Sequence, residues 1–284
     1  MNVKNLITEI EKVDPEVYER LDTRRNTMQR FSTIGKVLVA AAVPSALGSM
    51  FKKAYGQNTS TIVDVLQFAL TLEYLEAEFY TIAVSKGTAL FPTAAGLGAF
   101  TVIRDHENAH VKFLQDTIKS LNATPVAKPT FDFSGGNGSG TGPFKDAFTN
   151  YDLLLAVAQT FEDTGVRAYK GQAGNLMSSN EVLEAALRIH SVEARHASHV
   201  RYMRRNKPSA LVVGDVKPWI TLNQSNIASP AVQPSYNGEE VTLQAGVEIT
   251  NINGMPISKN AASEAFDEPL TKEQVLAIVD PFIV

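Results

Sequence analysis

Glu193-Ala-Arg-His196 places a carboxylate and an imidazole three residues apart in an alanine-rich run of helical period, and Glu107-Asn-Ala-His110 repeats the arrangement earlier in the chain. Residues three apart on a helix are neighbours, with Cβ atoms about 5–6 Å apart, so each pair can grip one cation from one helix face. With 18 Glu and 5 His in 284 residues, chance placement yields about 0.3 such pairs. Two pairs therefore point to two cations.

A four-helix bundle built around a dinuclear metal centre needs one further Glu from each of its other two helices. Candidates precede each pair: Glu73 in Leu72-Glu-Tyr-Leu-Glu-Ala-Glu-Phe-Tyr80, and Glu162 in Phe161-Glu-Asp-Thr-Gly-Val-Arg-Ala-Tyr169. Tyr80 follows Glu73 by seven residues and Tyr169 follows Glu162 by seven, so each phenol lies two turns along the face of its carboxylate. The order Glu, Glu-x-x-His, Glu, Glu-x-x-His makes Glu73, Glu107, His110, Glu162, Glu193 and His196 the candidate metal ligands.

Burial sharpens the reading. Four ionised carboxylates in an apolar core would be prohibitively costly unless they took up protons or met cations, and two divalent ions balance them. Neutral His110 and His196 add nitrogen donors without altering that balance. Mixed carboxylate and imidazole ligation suits iron or manganese better than structural zinc or calcium. Glu76, one turn from Glu73, is an additional ligand or a base. Tyr80 and Tyr169 either pack as aromatics or orient carboxylates and steer protons. His106 is expected at the surface or as a bundle-edge hydrogen-bonder, while His190 and His199 continue the stripe of Glu193 and His196 and either support it from outside or are satisfied core or surface histidines.

Hydrophobic content of 44% and a net charge of −4 describe an ordinary globular chain with no electrostatic reason to bind nucleic acid. The absence of cysteine excludes disulfides, thiolate sites and cysteine nucleophiles. Helical period predicts helices over roughly 60–85, 92–121, 151–170 and 178–205, the third stopping at Gly171 and Gly174 and the fourth opening on a capping box in Ser178-Ser179-Asn180-Glu181. Between the second and third lies Phe133-Ser-Gly-Gly-Asn-Gly-Ser-Gly-Thr-Gly-Pro143, which is irregular. A connection of that length can run the height of a bundle and leave the flanking helices parallel. Residues 207–284 are expected to form a mostly irregular extension packed on the bundle. Short strands are expected at 241–243 and 247–249 near the Asn253-Gly254 turn, and a last helix at Thr271.

Residues 1–56 read as a leader. Arg24-Arg25 precede an apolar run from Phe31 to Phe51, broken by Lys36 and Pro44, then Lys52-Lys53 and the small-residue site Ala54-Tyr55-Gly56. The arrangement resembles a twin-arginine export signal, departing from it at Thr27 where a Phe is usual, and implies a periplasmic protein. The other reading is a helix of the folded protein. The run is too short and interrupted for a membrane span.

The block from Leu66 to about Arg205 resembles the ferritin-like superfamily. The 72–80 stretch and the two Glu-x-x-His pairs are similar to its bacterial exported, desiccation-related branch. The resemblance implies an all-α, four-helix bundle with one long crossover and a central di-iron or di-manganese site held by the six residues named above. The resemblance leaves the activity open, since the superfamily holds ferroxidases, peroxidases, manganese catalases, oxygenases and members with no demonstrated reaction; the leading expectation, by analogy, is reaction with oxygen or peroxide as ferroxidase, peroxidase or catalase. A stress-related binding protein with structural metal or none is a second expectation and cage-type iron storage a third. The oligomeric state stays open, a homo-oligomer included.

Overall fold

Four helices of the computed structural model, which describes residues 59–244 and 246–284, carry every candidate ligand. They are α1 (Thr59–Ser85), α2 (Ala94–Ser120), α3 (Tyr151–Ala173) and α4 (Asn180–Arg205). The expected leader at 1–56 lies outside the described residues. Helix starts are fixed by side-chain caps. Thr93 accepts from Gly96 N, Asn150 from Asp152 N and Leu153 N, and Ser179 from Val182 N, each cap contributing about 1 kcal/mol. The cap of α4 is therefore one residue later than the capping box expected at Ser178 to Glu181.

α1 packs along α2, and α3 along α4. One end of the bundle gathers the starts of α1 and α4 with the ends of α2 and α3, so α2 and α3 run parallel. The connection between them climbs α1. Gln67 bonds Thr124 O and Val126 N, Tyr74 donates to Val126 O, and Lys128 pairs with Glu78. Farther along the same connection, the rings of Phe79 and Phe133 lie 5.6 Å apart. The parallel pair and its long crossover follow from this path, and the fold class is the all-α, four-helix one read from the sequence, with a C-terminal extension of short strands.

α3 departs from expectation, continuing past Gly171 to Ala173. Gly171 does not stop the helix. A Cβ there would stand 1.9 Å from Leu270 O, so the glycine admits the C-terminal backbone against the helix. With the extension laid over its outer face, α3 is buried on all sides from Leu154 to Tyr169, as a core helix is. Its outer face meets the extension through Arg167, which donates to the carbonyls of Ser235, Asn237 and Glu268 and pairs with Glu239 at 2.6 Å. Beside it, Arg201 of α4 makes two bonds to Asp163, and Tyr236 donates to the same carboxylate at 2.8 Å.

The strands are shorter than expected and form two hairpins. β1 (Leu243–Gln244) pairs with β2 (Val247–Glu248), and β3 (Asn251–Ile252) with β4 (Met255–Pro256), both antiparallel. Asn253 and Gly254 turn the second with φ of 54° and 76°, the left-handed pair that a tight hairpin needs. After the short α5 (Lys259–Ser263), α6 (Lys272–Val279) opens on a complete Thr271/Gln274 capping box. The chain end bridges Phe131 to Ile283, fastening the extension to the crossover. No helix among the described residues is long and apolar enough to cross a membrane.

Candidate metal centre

The four helices each turn one carboxylate inward at the same height, and Glu73, Glu107, Glu162 and Glu193 are all fully buried. The i, i+3 spacing then brings His110 beside Glu107 and His196 beside Glu193. His110 Nδ1 stands 3.2 Å from Glu73 Oε2, 3.0 Å from Glu107 Oε2 and 3.1 Å from Glu193 Oε1. His196 Nδ1 stands 2.8 Å from Glu107 Oε1, 3.3 Å from Glu162 Oε2 and 3.8 Å from Glu193 Oε2. All six sequence-derived candidates meet in one cluster.

They form two overlapping groups, each able to hold a metal ion: Glu73, Glu107, His110 and Glu193, and Glu107, Glu162, Glu193 and His196. Glu107 and Glu193 belong to both, so their carboxylates lie between the groups, while Glu73 and Glu162 each serve one. The donor set can be tested by its spacing. Around an ion with bonds of about 2.1 Å, adjacent donor atoms stand roughly 3.0–3.4 Å apart, close to most of the separations observed. One imidazole N–H cannot serve three acceptors at once. Glu107 Oε1, Glu162 Oε2, both oxygens of Glu193 and His196 Nδ1 indeed lack any hydrogen-bond partner despite complete burial. Buried polar atoms without partners are rare and costly, and these converge. The residues present fit a metal site.

Each outer carboxylate is held from the opposite half of the bundle. Tyr80 of α1 donates to Glu162 Oε1, and Tyr169 of α3 donates to Glu73 Oε1. The second oxygen of each carboxylate faces the cluster. Glu76 is buried too but belongs to neither group. Gly165, one turn beyond Glu162, faces it, and a Cβ built there would lie 3.4 Å from Glu76 Oε1 and 3.7 Å from Glu193 Oε2.

The crowding of acids shows in their proton affinities. Burial pushes Glu73 up to about 8, with the neighbouring His110 opposing and Glu193 and Glu107 adding. Burial and then Glu193 and Glu162 push Glu76 well above the carboxylate range. Burial also raises Glu162 and the phenols of Tyr80 and Tyr169, the phenols further raised by the carboxylates they bond. Glu193 is the exception. Burial would raise it, but the charged imidazoles of His110 and His196 close beside it hold it down at about 2. Burial would lower His110 and His196, yet Glu73 and Glu162 foremost raise them far above the usual imidazole range.

His106 sits at the bundle edge, with Nδ1 2.9 Å from Nε2 of His196. It thus fixes the outward nitrogen of that ring while Nδ1 faces the acids. Of the two sequence expectations it meets the bundle-edge hydrogen-bonder; the identity of its partner, on another helix, was not legible. His190 bonds Val166 O and His199 lies on the exposed face near Tyr202, so neither joins the cluster. Sequence reading also missed the buried Asp163 and Arg167 of α3 and Arg201 of α4, which pair with one another or with the extension. Charged residues inside an otherwise apolar α3 were the only signal for the first two.

No curated protein matches the chain. Residues 61–206 match the model of the ferritin-like domain, a span that takes in the four helices from the third residue of α1 onward and the whole acid and imidazole cluster; the chain belongs to the ferritin-like domain family.

Proposed function

We propose that this chain is an exported ferritin-like protein, resembling the desiccation-related branch, whose cluster holds two iron or manganese ions and reacts with oxygen or peroxide. The observation that carries the reading is the pair of overlapping ligand groups sharing Glu107 and Glu193. In this reading Glu107 and Glu193 would be held in common by the two ions, Glu73 and Glu162 would each serve one, and His110 and His196 would complete one group each. Two such ions, when bound, would supply electrons to an oxidant lodged beside them. The oxygen-rich donor set favours iron or manganese over softer metals.

The protein's own part is to hold and shield. Tyr80 and Tyr169 hold the outer oxygens of Glu162 and Glu73, leaving one oxygen of each toward the ions. His106 keeps His196 turned inward. Glu76, buried one turn from Glu73, is the carboxyl placed to give or take a proton. The aromatic core around Phe79 and Phe100 excludes water from the side of Tyr80.

The test is elemental analysis of the purified chain, followed by stopped-flow mixing of the reduced, loaded protein with oxygen or peroxide. Two ions per chain and a reaction faster than free metal at equal concentration are expected, with most of the excess lost in Glu162→Ala. Equal rates for wild type, variant and free metal would reduce the centre to a structural one, and the stress-related binding protein would replace this reading.

A further inference from the structure

The bundle is filled unequally on the two sides of the acid cluster. Toward the Tyr80 end, the positions two turns away from the ligands are Tyr80, Phe100, Leu155 and Val200, each no more than 1% exposed and joined into one packed core. Toward the other end, the positions one turn away are Ala69, Leu114 and Ile189, four residues from Glu73, His110 and Glu193 respectively. These three, with Tyr169, line a cavity of about 20 Å³. Ala69 and nearby Ala168 and Ala186, all on its wall, are too short to fill the space between four helices.

The size and lining select an occupant. A single water needs roughly 10–15 Å³ and two to four polar partners, so this space takes a molecule of one or two heavy atoms. The lining offers few partners. Thr117 spends its hydroxyl on Phe113 O and Tyr169 spends its own on Glu73, and Gln172, whose oxygen accepts from Asn175, adds only its amide N–H pair. Apolar cavities of this kind stay dry and take up apolar gases. Peroxide, which needs hydrogen bonds, is poorly accommodated, whereas dioxygen needs none.

We propose that this cavity is a docking chamber for dioxygen, one helical turn from the ligand cluster and separated from it by the Tyr169 ring. The proposal rests on the dinuclear reading and narrows its oxidant. Dioxygen reaches the centre from the start of α1 and α4, while the packed aromatic side stays closed.

Xenon tests the chamber without any metal. In the full metal-free chain, methyl resonances of Leu114, Val182 and Ile189 should shift saturably with xenon pressure, and Ala186→Leu, which fills the space, should abolish the shift. Val182→Leu adds one carbon to the same wall and serves if the first variant does not fold. In the reduced, metal-loaded protein, the filled variant should lose at least threefold in dioxygen rate relative to its peroxide rate, at unchanged metal content. Methyl resonances indifferent to xenon overturn the proposal whatever the metal does. Xenon binding with an unchanged ratio of rates also overturns it, leaving the dinuclear reading intact. A chain that binds xenon but takes up neither iron nor manganese sinks the dinuclear reading, and the delivery role with it.

Discussion

Tyr80 on α1 donates its phenolic hydrogen to Glu162 on α3, and the relationship is returned across the bundle by Tyr169 and Glu73. Each half of the repeated sequence thus orients the outer carboxylate of the other. Neither phenol reaches the cluster centre, so their effect on metal must pass through the carboxylates. Tyr80→Phe and Tyr169→Phe should each weaken metal binding by about 10–100-fold, the usual loss when a group supporting a ligand is removed. Competition titration against a chelator of known affinity measures it. Unchanged affinity in both would mean that packing alone orients the acids.

Shared and unshared ligands make different demands. Glu107 and Glu193 contribute to both groups, and Glu73 and Glu162 to one each. Glu107→Ala with Glu193→Ala should abolish occupancy of both sites, whereas Glu73→Ala alone should leave one ion at the His196 group. Metal-to-protein ratios from elemental analysis decide this. Two ions retained by the double variant would remove Glu107 and Glu193 from the ligand set.

The parts of this molecule that were legible in sequence are those built from local repeats. The Glu-x-x-His pairs, the added Glu73 and Glu162 and the tyrosines seven residues on all depend on helical period, which sequence displays directly. What escaped depends on partners distant in sequence. Gly171 reads as a helix stop until Leu270 is known to lie against it, and Asp163 reads as a surface acid until Arg201 and Tyr236 close on it. The cap at Ser179 was displaced by one residue because Ser178 and Ser179 are chemically equal candidates, and the bundle's packing chose between them.

Arg167 supplies the test of how the extension is held. Its guanidinium bonds three carbonyls of the extension and pairs with Glu239. Arg167→Ala would leave three carbonyls and Glu239 without their donor, at about 1–3 kcal/mol for each group left buried and unsatisfied. Arg167→Met with Glu239→Gln should be no better, since Glu239 takes up a proton at neutral pH once the guanidinium is gone and leaves no charge to strand. Burial pushes Glu239 up to about 8 against the pull of Arg167. A raised folded value means that its contribution is fully present below the unfolded value near 4.5 and declines as pH rises to about 8. Denaturant midpoints across that range should fall less steeply for Glu239→Gln than for wild type.

Export is testable independently of the fold. Arg24 and Arg25 lie outside the described residues, and the proposed route depends on the guanidinium pair itself. Replacing both by Lys should leave the protein in the cytoplasm with its amino terminus intact, as fractionation and terminal sequencing would reveal. Normal export of that variant would refute the twin-arginine route.

Metal uptake should release protons. Without metal, the raised proton affinities of His110 and His196 keep both imidazoles charged through neutral pH, where they partly offset the surrounding acids. Burial favours the neutral rings, but Glu73 and Glu162 outweigh it. A ring nitrogen that ligates must first lose its proton, so each bound ion displaces at least one, and apparent affinity rises with pH. Glu73, pushed up to about 8, adds a further proton to be lost below that pH. Calorimetric titration at one pH in two buffers of different ionisation enthalpy would count the protons. At pH 7, two or more per pair of ions are expected, and fewer in His110→Ala. A heat of binding identical in both buffers would show that no proton leaves, and the imidazoles would then be neutral before the metal arrives.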